Sequence, residues 1–165
     1  MVTLSRKLLI GCGVLVVITI AAIFLGGFFL VRKFNRITNG SYSNPSLAQI
    51  STLTSVKFPP GAKLVNSTLY VEFRAQTLWA KVEASKSAAD KFVASFPKDY
   101  RFLPEDKFLI THQPGPRDAT WWTPDSSRKF VLLGKEDTIK QTILYILVDL
   151  DDPSVPTIFL YYTSG

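Results

Sequence analysis

Residues 8–31 constrain this chain more than any other stretch, because they form 24 consecutive residues with no charge and a single hydroxyl, that of Thr19. A helix rises about 1.5 Å per residue, so the run would reach roughly 36 Å, and the hydrocarbon core of a bilayer is about 30 Å thick. In lipid a helix satisfies its own backbone hydrogen bonds. The run therefore predicts a single transmembrane helix that holds the rest of the chain at a membrane.

Three other interpretations of this run are weaker. A cleaved secretory signal has about 7–15 apolar residues before its small-residue site, whereas here the apolar sequence continues past Gly26 and Gly27. A lipoprotein signal would place its apolar region before Cys12, but most of the apolar residues follow that cysteine. A buried helix of a globular domain is rarely apolar on every face over this length. We therefore interpret the run as a retained anchor.

Basic residues flank both ends of the predicted span, with Arg6 and Lys7 before it and Arg32, Lys33 and Arg36 after it. The positive-inside rule, counted near the span, slightly favours a cytoplasmic C-terminal domain. A short basic tail before an uncleaved apolar run is instead typical of a signal-anchor, and long domains translocate largely regardless of their charge. We expect an extracytoplasmic domain, which would be periplasmic in a Gram-negative cell.

The net charge of +6 does not indicate a nucleic-acid partner. Five of the 19 basic residues flank the span, and residues 37–165 hold 14 basic and 13 acidic side chains. The excess charge thus lies where lipid headgroups are expected, and basic residues there are favoured by about 1 kcal/mol each against anionic lipid. The sequence predicts membrane lipid as a partner and excludes a clustered phosphate-binding surface.

The sequence contains no clear catalytic or metal-binding motif. Its one cysteine, Cys12, lies in the apolar run, and His112 is its one histidine, with no G-x-S-x-G elbow beside it. Asp149 and Asp151 share a face at a strand end, but calcium needs about six to eight oxygen ligands, and a solubilising turn is the simpler interpretation. We expect a non-catalytic protein without cofactor or metal. A hydrolase that uses His112 or the Asp149/Asp151 pair is the weakest alternative.

The chain divides into four predicted segments: a short basic tail over residues 1–7, the transmembrane helix over 8–31, a juxtamembrane tether over 32–60 and an α+β domain over 61–165. The tether is rich in Asn and Ser, and Gly40 and Pro45 interrupt it. Within it, Ser46 can cap a short helix over residues 47–53. The residues after the tether are enough for one small domain and too few for two.

Apolar residues alternate with a period of two after the tether, which predicts strands. The predicted strands are Leu64 with residues 69–73, then residues 78–84, 129–133, 142–150 and 157–163, with a short additional strand over 108–111. One helix is predicted over residues 87–96, opened by Ser87 and stopped by Pro97. Grouped strands with few helices indicate an α+β fold, in which an antiparallel sheet carries one main helix on one face.

Two adjacent tryptophans, Trp121 and Trp122, are the clearest surface signal. They lie between Pro116 and Pro124 in a predicted loop over residues 97–127. Tryptophan is enriched at interface hot spots, so these four residues are candidates for partner contact. The pair could equally cap the sheet or enter the lipid headgroup region.

Small side chains suggest a second contact within the predicted span. Ala22 and Gly26 form a small-xxx-small step, and Thr19 lies nearby on that face, which permits close contact with another transmembrane helix. With an inert span and no catalytic motif, we expect an accessory or scaffolding subunit of a larger membrane complex, with other membrane-protein subunits as partners. The alternative is a membrane-tethered sensor or ligand-binding module, which an apolar pocket with convergent polar groups would favour.

Overall fold

The computed structural model describes residues 40–165, of which Ser41–Gly165 form one compact unit. The predicted basic tail, the predicted span and its contact residues Thr19, Ala22 and Gly26 lie outside the described residues. Between residues 40 and 165, no helix has the length and apolar character needed to cross a membrane.

The described residues form a single antiparallel sheet of six strands with three helices. The strands are β1 (Ser41–Ser43), β2 (Lys63–Glu72), β3 (Ala75–Glu83), β4 (Phe130–Asp137), β5 (Thr142–Asp149) and β6 (Thr157–Ser164), and the helices are α1 (Leu47–Thr54), α2 (Lys86–Ala94) and α3 (Phe108–Thr111). The strand order across the sheet is β1-β2-β3-β6-β5-β4. The predicted α+β class with an antiparallel sheet is thereby confirmed.

The compact unit begins before the predicted domain boundary. Residues 41–60, which the sequence places in a tether, contribute β1 and α1 to this unit. Ser46 caps α1 through a capping box, in which the backbone N–H of Ser46 donates to the Gln49 side chain at 2.8 Å. Ile50 of α1 is fully buried. The polar residues of this stretch are therefore edge-strand and capping residues.

Helix α2 begins at a different cap from the predicted one. The side chain of Ser85 accepts a hydrogen bond from the backbone N–H of Ala88 at 3.4 Å, so Ser85 is the N-cap and the prediction of Ser87 was wrong. Ser85 has the extended backbone of an N-cap (φ −66°, ψ 156°), which follows from its place just after β3. Ser87 lies within the helix.

Both faces of the sheet are buried, because successive residues of a strand point to opposite faces and both sets are apolar here. One face, the helix face, packs against α1 and α2 through Leu78, Ala80, Val82, Leu133, Ile146, Val148, Ile158 and Leu160. The other, the loop face, carries Trp79, Leu132, Tyr145, Leu147, Phe159 and Tyr161. The sequence predicted one main helix on one face of the sheet. The structure instead has two helices on that face, and the other face is covered by part of residues 97–127.

Residues 108–111 form helix α3, and the prediction of a strand there was wrong. The backbone N–H of His112 donates to the carbonyl oxygen of Phe108 at 2.9 Å, which closes one helical turn. A short apolar run fits a strand or a helix turn equally well by its pattern alone. Here the 3₁₀ turn Pro104–Lys107 leads directly into the helix, so the chain is already coiled when it reaches Phe108.

Candidate partner-contact surface

Residues 97–127 are here called the covering segment, which lies over the loop face as a packed layer from Phe102 to Trp122. The indole N–H of Trp79 donates to the carbonyl oxygen of Pro114 at 2.8 Å. The backbone N–H of Phe102 donates to the carbonyl oxygen of Leu132 at 3.2 Å, and Ile110 is fully buried against the sheet. Hydrogen bonds and apolar contacts therefore fix this stretch to the sheet.

Lys107 ties the covering segment to the strand that follows it. Its ammonium group donates to the carbonyl oxygen of Asp125 at 2.9 Å and to that of Ser127. The same group lies 5.0 Å from the centroid of the Phe130 ring, at a distance typical of a cation–π contact. A single cation thus ties the middle of the covering segment to its C-terminal end and to the start of β4.

The two tryptophans pack over the loop face through edge-on ring contacts. The Trp122 ring lies edge-on to Phe159, with 5.6 Å between centroids, and Trp121 lies edge-on to Trp122 at 5.9 Å. Gly115 lets the backbone approach Trp122, because a Cβ at Gly115 would lie 3.0 Å from the Trp122 Cδ1 atom. Both tryptophans are half-buried. This geometry favours the capping interpretation of Trp122.

Of the four predicted contact residues, the two prolines lie in the interior. Pro116 and Pro124 are buried, whereas parts of Trp121 and Trp122 remain accessible. Contact of these residues with a partner stays a prediction, and the tryptophans are the members with surface left for it. The prolines fix the backbone on either side of the pair.

We predict that Trp122→Ala destabilises the domain whereas Trp122→Phe does not. The alanine variant loses the edge contact with Phe159, which we expect to cost about 2 kcal/mol for this half-buried ring. The phenylalanine variant keeps that contact and removes the indole N–H, which is buried without an acceptor among the described residues. Its unfolding free energy should stay within about 0.5 kcal/mol of the wild type or rise. Urea unfolding of the full chain in detergent micelles measures both variants.

An unchanged stability for Trp122→Ala would contradict a capping role and leave the ring free for a partner. Trp121→Ala provides the comparison, because the Trp121 ring contacts Trp122 and not, among the described residues, the Phe159 ring. If Trp121 contacts a partner, its alanine variant should keep the fold and lose co-purifying protein.

The outer side of the covering segment exposes two apolar side chains that the sequence analysis missed. Leu103 and Phe108 are each more than half exposed. In a strand, Phe108 would share a face with the buried Ile110, whereas in a helix residues two apart point to nearly opposite sides. Assignment of α3 as a helix would therefore have indicated the exposure of Phe108.

The aspartates at the end of β5 act as hydrogen-bond acceptors within a turn. Asp149 accepts from the hydroxyl of Ser127 at 2.8 Å and from the backbone N–H of Asp151 at 2.8 Å. Asp151 accepts from the backbone N–H groups of Arg128 and Lys129 at 2.9 and 2.7 Å. These bonds support the simpler interpretation, a solubilising turn after β5, and they tie this turn to the residues preceding β4.

The Asp151 carboxylate makes the domain sensitive to acid. The backbone N–H groups of Arg128 and then Lys129 hold the pKa of Asp151 below its ordinary value of 3.8. A carboxyl with a lowered folded-state pKa contributes stability above its unfolded pKa and loses it as the pH falls through the folded value. We therefore predict that Asp151→Asn unfolds at lower urea than the wild type at pH 7 and that this difference disappears as the pH falls below about 4.

The matched control for this prediction is Asp90→Asn. Asp90 forms only an exposed ion pair with Lys86, at 3.5 Å, within α2. This variant should retain the acid dependence of the wild type, because an exposed helix pair contributes about 0.3–0.5 kcal/mol. A difference between Asp151→Asn and the wild type that persists at low pH would contradict the role assigned to the charged carboxylate.

Of the residues considered for catalysis, Asp149 and Asp151 lie together in the turn after β5, whereas His112 has no hydrogen bond to either of them within the described part of the chain. His112 is exposed, its Nδ1 atom lies 3.5 Å from the Thr111 hydroxyl, and its ring lies edge-on to Phe108. Tyr145 donates to a carboxylate oxygen of Glu136, and burial together with this bond raises its pKa, so the phenol stays protonated near neutral pH. Among residues 40–165, no group of three histidine, cysteine or acidic side chains is placed to hold a metal ion.

An apolar cleft of about 500 Å³ lies between α2 and the connection from α1 to β2. Its lining includes Val56, Phe58, Phe92, Phe96, Tyr100 and Leu144. Two of the hydroxyls in its wall bond the local backbone, because Thr54 donates to the carbonyl oxygen of Ile50 at 2.8 Å and Ser95 to that of Phe92 at 2.6 Å. The exposed amines of Lys57 and Lys91 are the charged groups among the lining residues.

No known protein family matches this chain, and comparisons with curated proteins and with solved structures find no significant similarity. The chemistry of its own residues is therefore what bears on its function.

Proposed function

We propose that this chain is a single-pass membrane protein that serves as a non-catalytic accessory or scaffolding subunit of a larger membrane complex and presents its α+β domain on the extracytoplasmic side. The uncharged run of residues 8–31 carries the proposal. Such a run is costly in water and stable in lipid, where a helix bonds its own backbone. Basic residues on both sides of the run suit the headgroup regions that would flank it.

The use of the polar groups supports a non-catalytic role. The carboxylates of Asp149 and Asp151 accept hydrogen bonds from neighbouring backbone and hydroxyl groups, so their acceptor positions serve the turn. Catalytic acids and bases instead need a substrate within hydrogen-bond reach and a pKa tuned to the reaction. Lowering of the Asp151 pKa moves this carboxyl away from the range that suits a general acid or base near neutral pH.

The covering segment supports a role in protein contact. Its inner side is fixed to the loop face, while Leu103 and Phe108 present most of their apolar surface to solvent and Trp121 remains partly accessible. Aromatic side chains in a rigid layer bury large apolar area at low cost in conformational entropy, which is why they dominate interface hot spots. Another membrane-protein subunit is the partner that this arrangement suits.

Purification from native membranes in mild detergent tests the proposal. We expect mass spectrometry to find at least one membrane protein in stoichiometric amount with the tagged full chain. The double variant Trp121→Ala, Phe108→Ser should lose that partner and stay folded, whereas Val155→Ser, at an exposed site in the turn between β5 and β6, should retain it. A clean monomer from the wild type would contradict the proposal.

A tethered ligand-binding module is the second candidate, and the cleft beside α2 is the observation that favours it. Its apolar wall with Lys57 and Lys91 among the lining residues would suit an apolar molecule with an anionic group. Native mass spectrometry of the same preparation distinguishes the two functions. A bound small molecule that is lost in Lys91→Glu and retained in Lys63→Glu would support the module.

A further inference from the structure

The start of β1 and two turns lie at the same end of the sheet. The strand register places six residues in one row across the sheet: Ser41, Val71, Gln76, Ser164, Thr142 and Asp137. The turn between β2 and β3 (Phe73 and Arg74) and the turn between β4 and β5 (residues 138–141) continue beyond this row. The chain before β1 leaves the sheet from the same row. We call this end of the sheet, where the strands begin or end, the entry edge.

Each turn at the entry edge exposes a large apolar side chain. Ile139 is 94 % exposed and Phe73 67 %, more than any other large apolar residue between residues 40 and 165. Turns ordinarily use Gly, Asn, Asp or Ser, and neither position requires an apolar residue for its geometry. The Asp137 carboxylate accepts from the backbone N–H groups of Ile139 and Lys140 at 3.1 and 3.0 Å, which fixes the second turn.

A basic residue follows each apolar one at these turns. The guanidinium of Arg74 lies 5.2 Å from the centroid of the Phe73 ring, and Lys140 directly follows Ile139. The two turns are separated by three interstrand spacings, or about 14 Å, so they form two points along one line. An apolar tip beside a cation is the pattern with which proteins enter a membrane interface, because the apolar group reaches the acyl boundary and the cation reaches phosphate.

The acidic residues at this edge indicate that apolar burial would dominate the contact. Glu72 and Glu136 lie beside the two turns, and Asp137 lies in the row itself, so the edge is not strongly basic. The hydroxyl of Tyr145 donates to Glu136, and Asp137 accepts from its own turn. Three further basic residues, Arg32, Lys33 and Arg36, precede β1 in the sequence.

We propose that the entry edge rests on the lipid surface, with Phe73 and Ile139 inserted at the boundary between headgroups and acyl chains. This inference rests on the proposed membrane anchor. The predicted span ends at Val31 and β1 begins at Ser41, so nine residues join the lipid to this edge. Fully extended, they reach at most about 32 Å. A connection of this length would hold the start of β1, and with it the entry edge, close to the headgroups.

Depth-dependent fluorescence quenching tests the inference on the full chain. The background variant Cys12→Ser removes the native thiol, and single cysteines are introduced in Phe73→Cys, Ile139→Cys and, as a control, Val155→Cys. Val155 is 43 % exposed and lies in the turn between β5 and β6 at the opposite edge of the sheet. Each variant carries an environment-sensitive fluorophore and is reconstituted in vesicles of phosphatidylcholine and phosphatidylglycerol. All three sites are exposed, so the label leaves the core intact.

We expect blue-shifted emission at positions 73 and 139, with quenching by spin-labelled lipid several-fold stronger than at position 155. Equally weak quenching at all three positions would overturn the inference. If the same chain floats with the vesicles, the proposed anchor is unaffected by that result. A chain that does not float would overturn the proposed function instead. A blue shift that grows with the protein-to-lipid ratio and is insensitive to spin-labelled lipid would show that a second copy covers this edge, which also overturns it.

Discussion

Replacement of Gly134 by alanine is expected to lower the free energy of unfolding by about 3 kcal/mol. Gly134 lies in β4 on the loop face, beneath the covering segment. A Cβ at this position would lie 2.4 Å from the carbonyl oxygen of Leu144 and 2.7 Å from Cε2 of Phe102. Because the first of these atoms belongs to the backbone of β5, relief of the clash requires the two strands to separate.

Urea unfolding of the full chain in detergent micelles, followed by tryptophan fluorescence, measures this effect. The three tryptophans of the chain belong to the loop-face cluster, so their emission reports the region that the substitution disturbs. The neighbouring variant Lys135→Ala, at an exposed side chain of the same strand, should change stability by no more than about 0.5 kcal/mol. An alanine at position 134 that is equally well tolerated would contradict the close approach of the β5 backbone and Phe102 to this glycine.

Phe159→Ala is expected to cost about 4 kcal/mol, a value typical of a buried aromatic residue in a core. Phe159 is 2 % exposed, its ring contacts the Trp122 ring edge-on, and the ammonium group of Lys81 lies 5.5 Å from its centroid. Its neighbour Leu160 is fully buried on the helix face and provides the matched comparison, for which we expect a loss of about 2–5 kcal/mol. The same urea titration measures both variants.

Comparable losses for the two variants are the signature of a sheet buried on both faces. If the covering segment were a loosely held loop, Phe159→Ala would cost less than about 1 kcal/mol while Leu160→Ala kept its full effect. That pattern would restore the simpler arrangement expected from the sequence, in which one face carries helix and the other faces solvent.

The strands and the first helix were predictable because their signals are local. Alternating or continuous apolar residues indicated β2 to β6, and Ser46 with the apolar residues after it indicated α1. The run over residues 143–148 is apolar at every position, which is typical of an interior strand, and β5 indeed lies between β6 and β4. Half of the side chains in this run point away from the helices, and they are apolar too. The run therefore also indicated that the second face of the sheet is covered.

The covering segment was not predictable as a layer, because its structure depends on contacts with residues far away in the sequence. Its fixed points include the hydrogen bond from Trp79 to Pro114, across 35 positions, and the packing of Phe102 over Gly134. No period of apolar residues marks such a segment, and its prolines indicate only that it lacks long helices. For the same reason, the burial of Pro116 and Pro124 could not be read from their spacing.

The entry edge could not be predicted either, because it depends on strand register. A shift of one residue in the register of β4 with β5, or of β2 with β3, would have placed different residues in the two turns. An apolar side chain between two strands, such as Ile139, is the one local signal that could have marked it. Only the pairing of all six strands shows that Phe73, Ile139 and Ser41 belong to the same side.

The most direct test of a membrane anchor in residues 8–31 is carbonate extraction of native membranes, followed by flotation of the washed membranes through a density gradient. Alkaline carbonate removes proteins held by polar contacts and leaves those whose helices cross the lipid. We predict that the full-length chain stays in the pellet and floats with the lipid. Recovery of the intact chain in the carbonate supernatant, freely dissolved, would contradict the anchor and every proposal that depends on it.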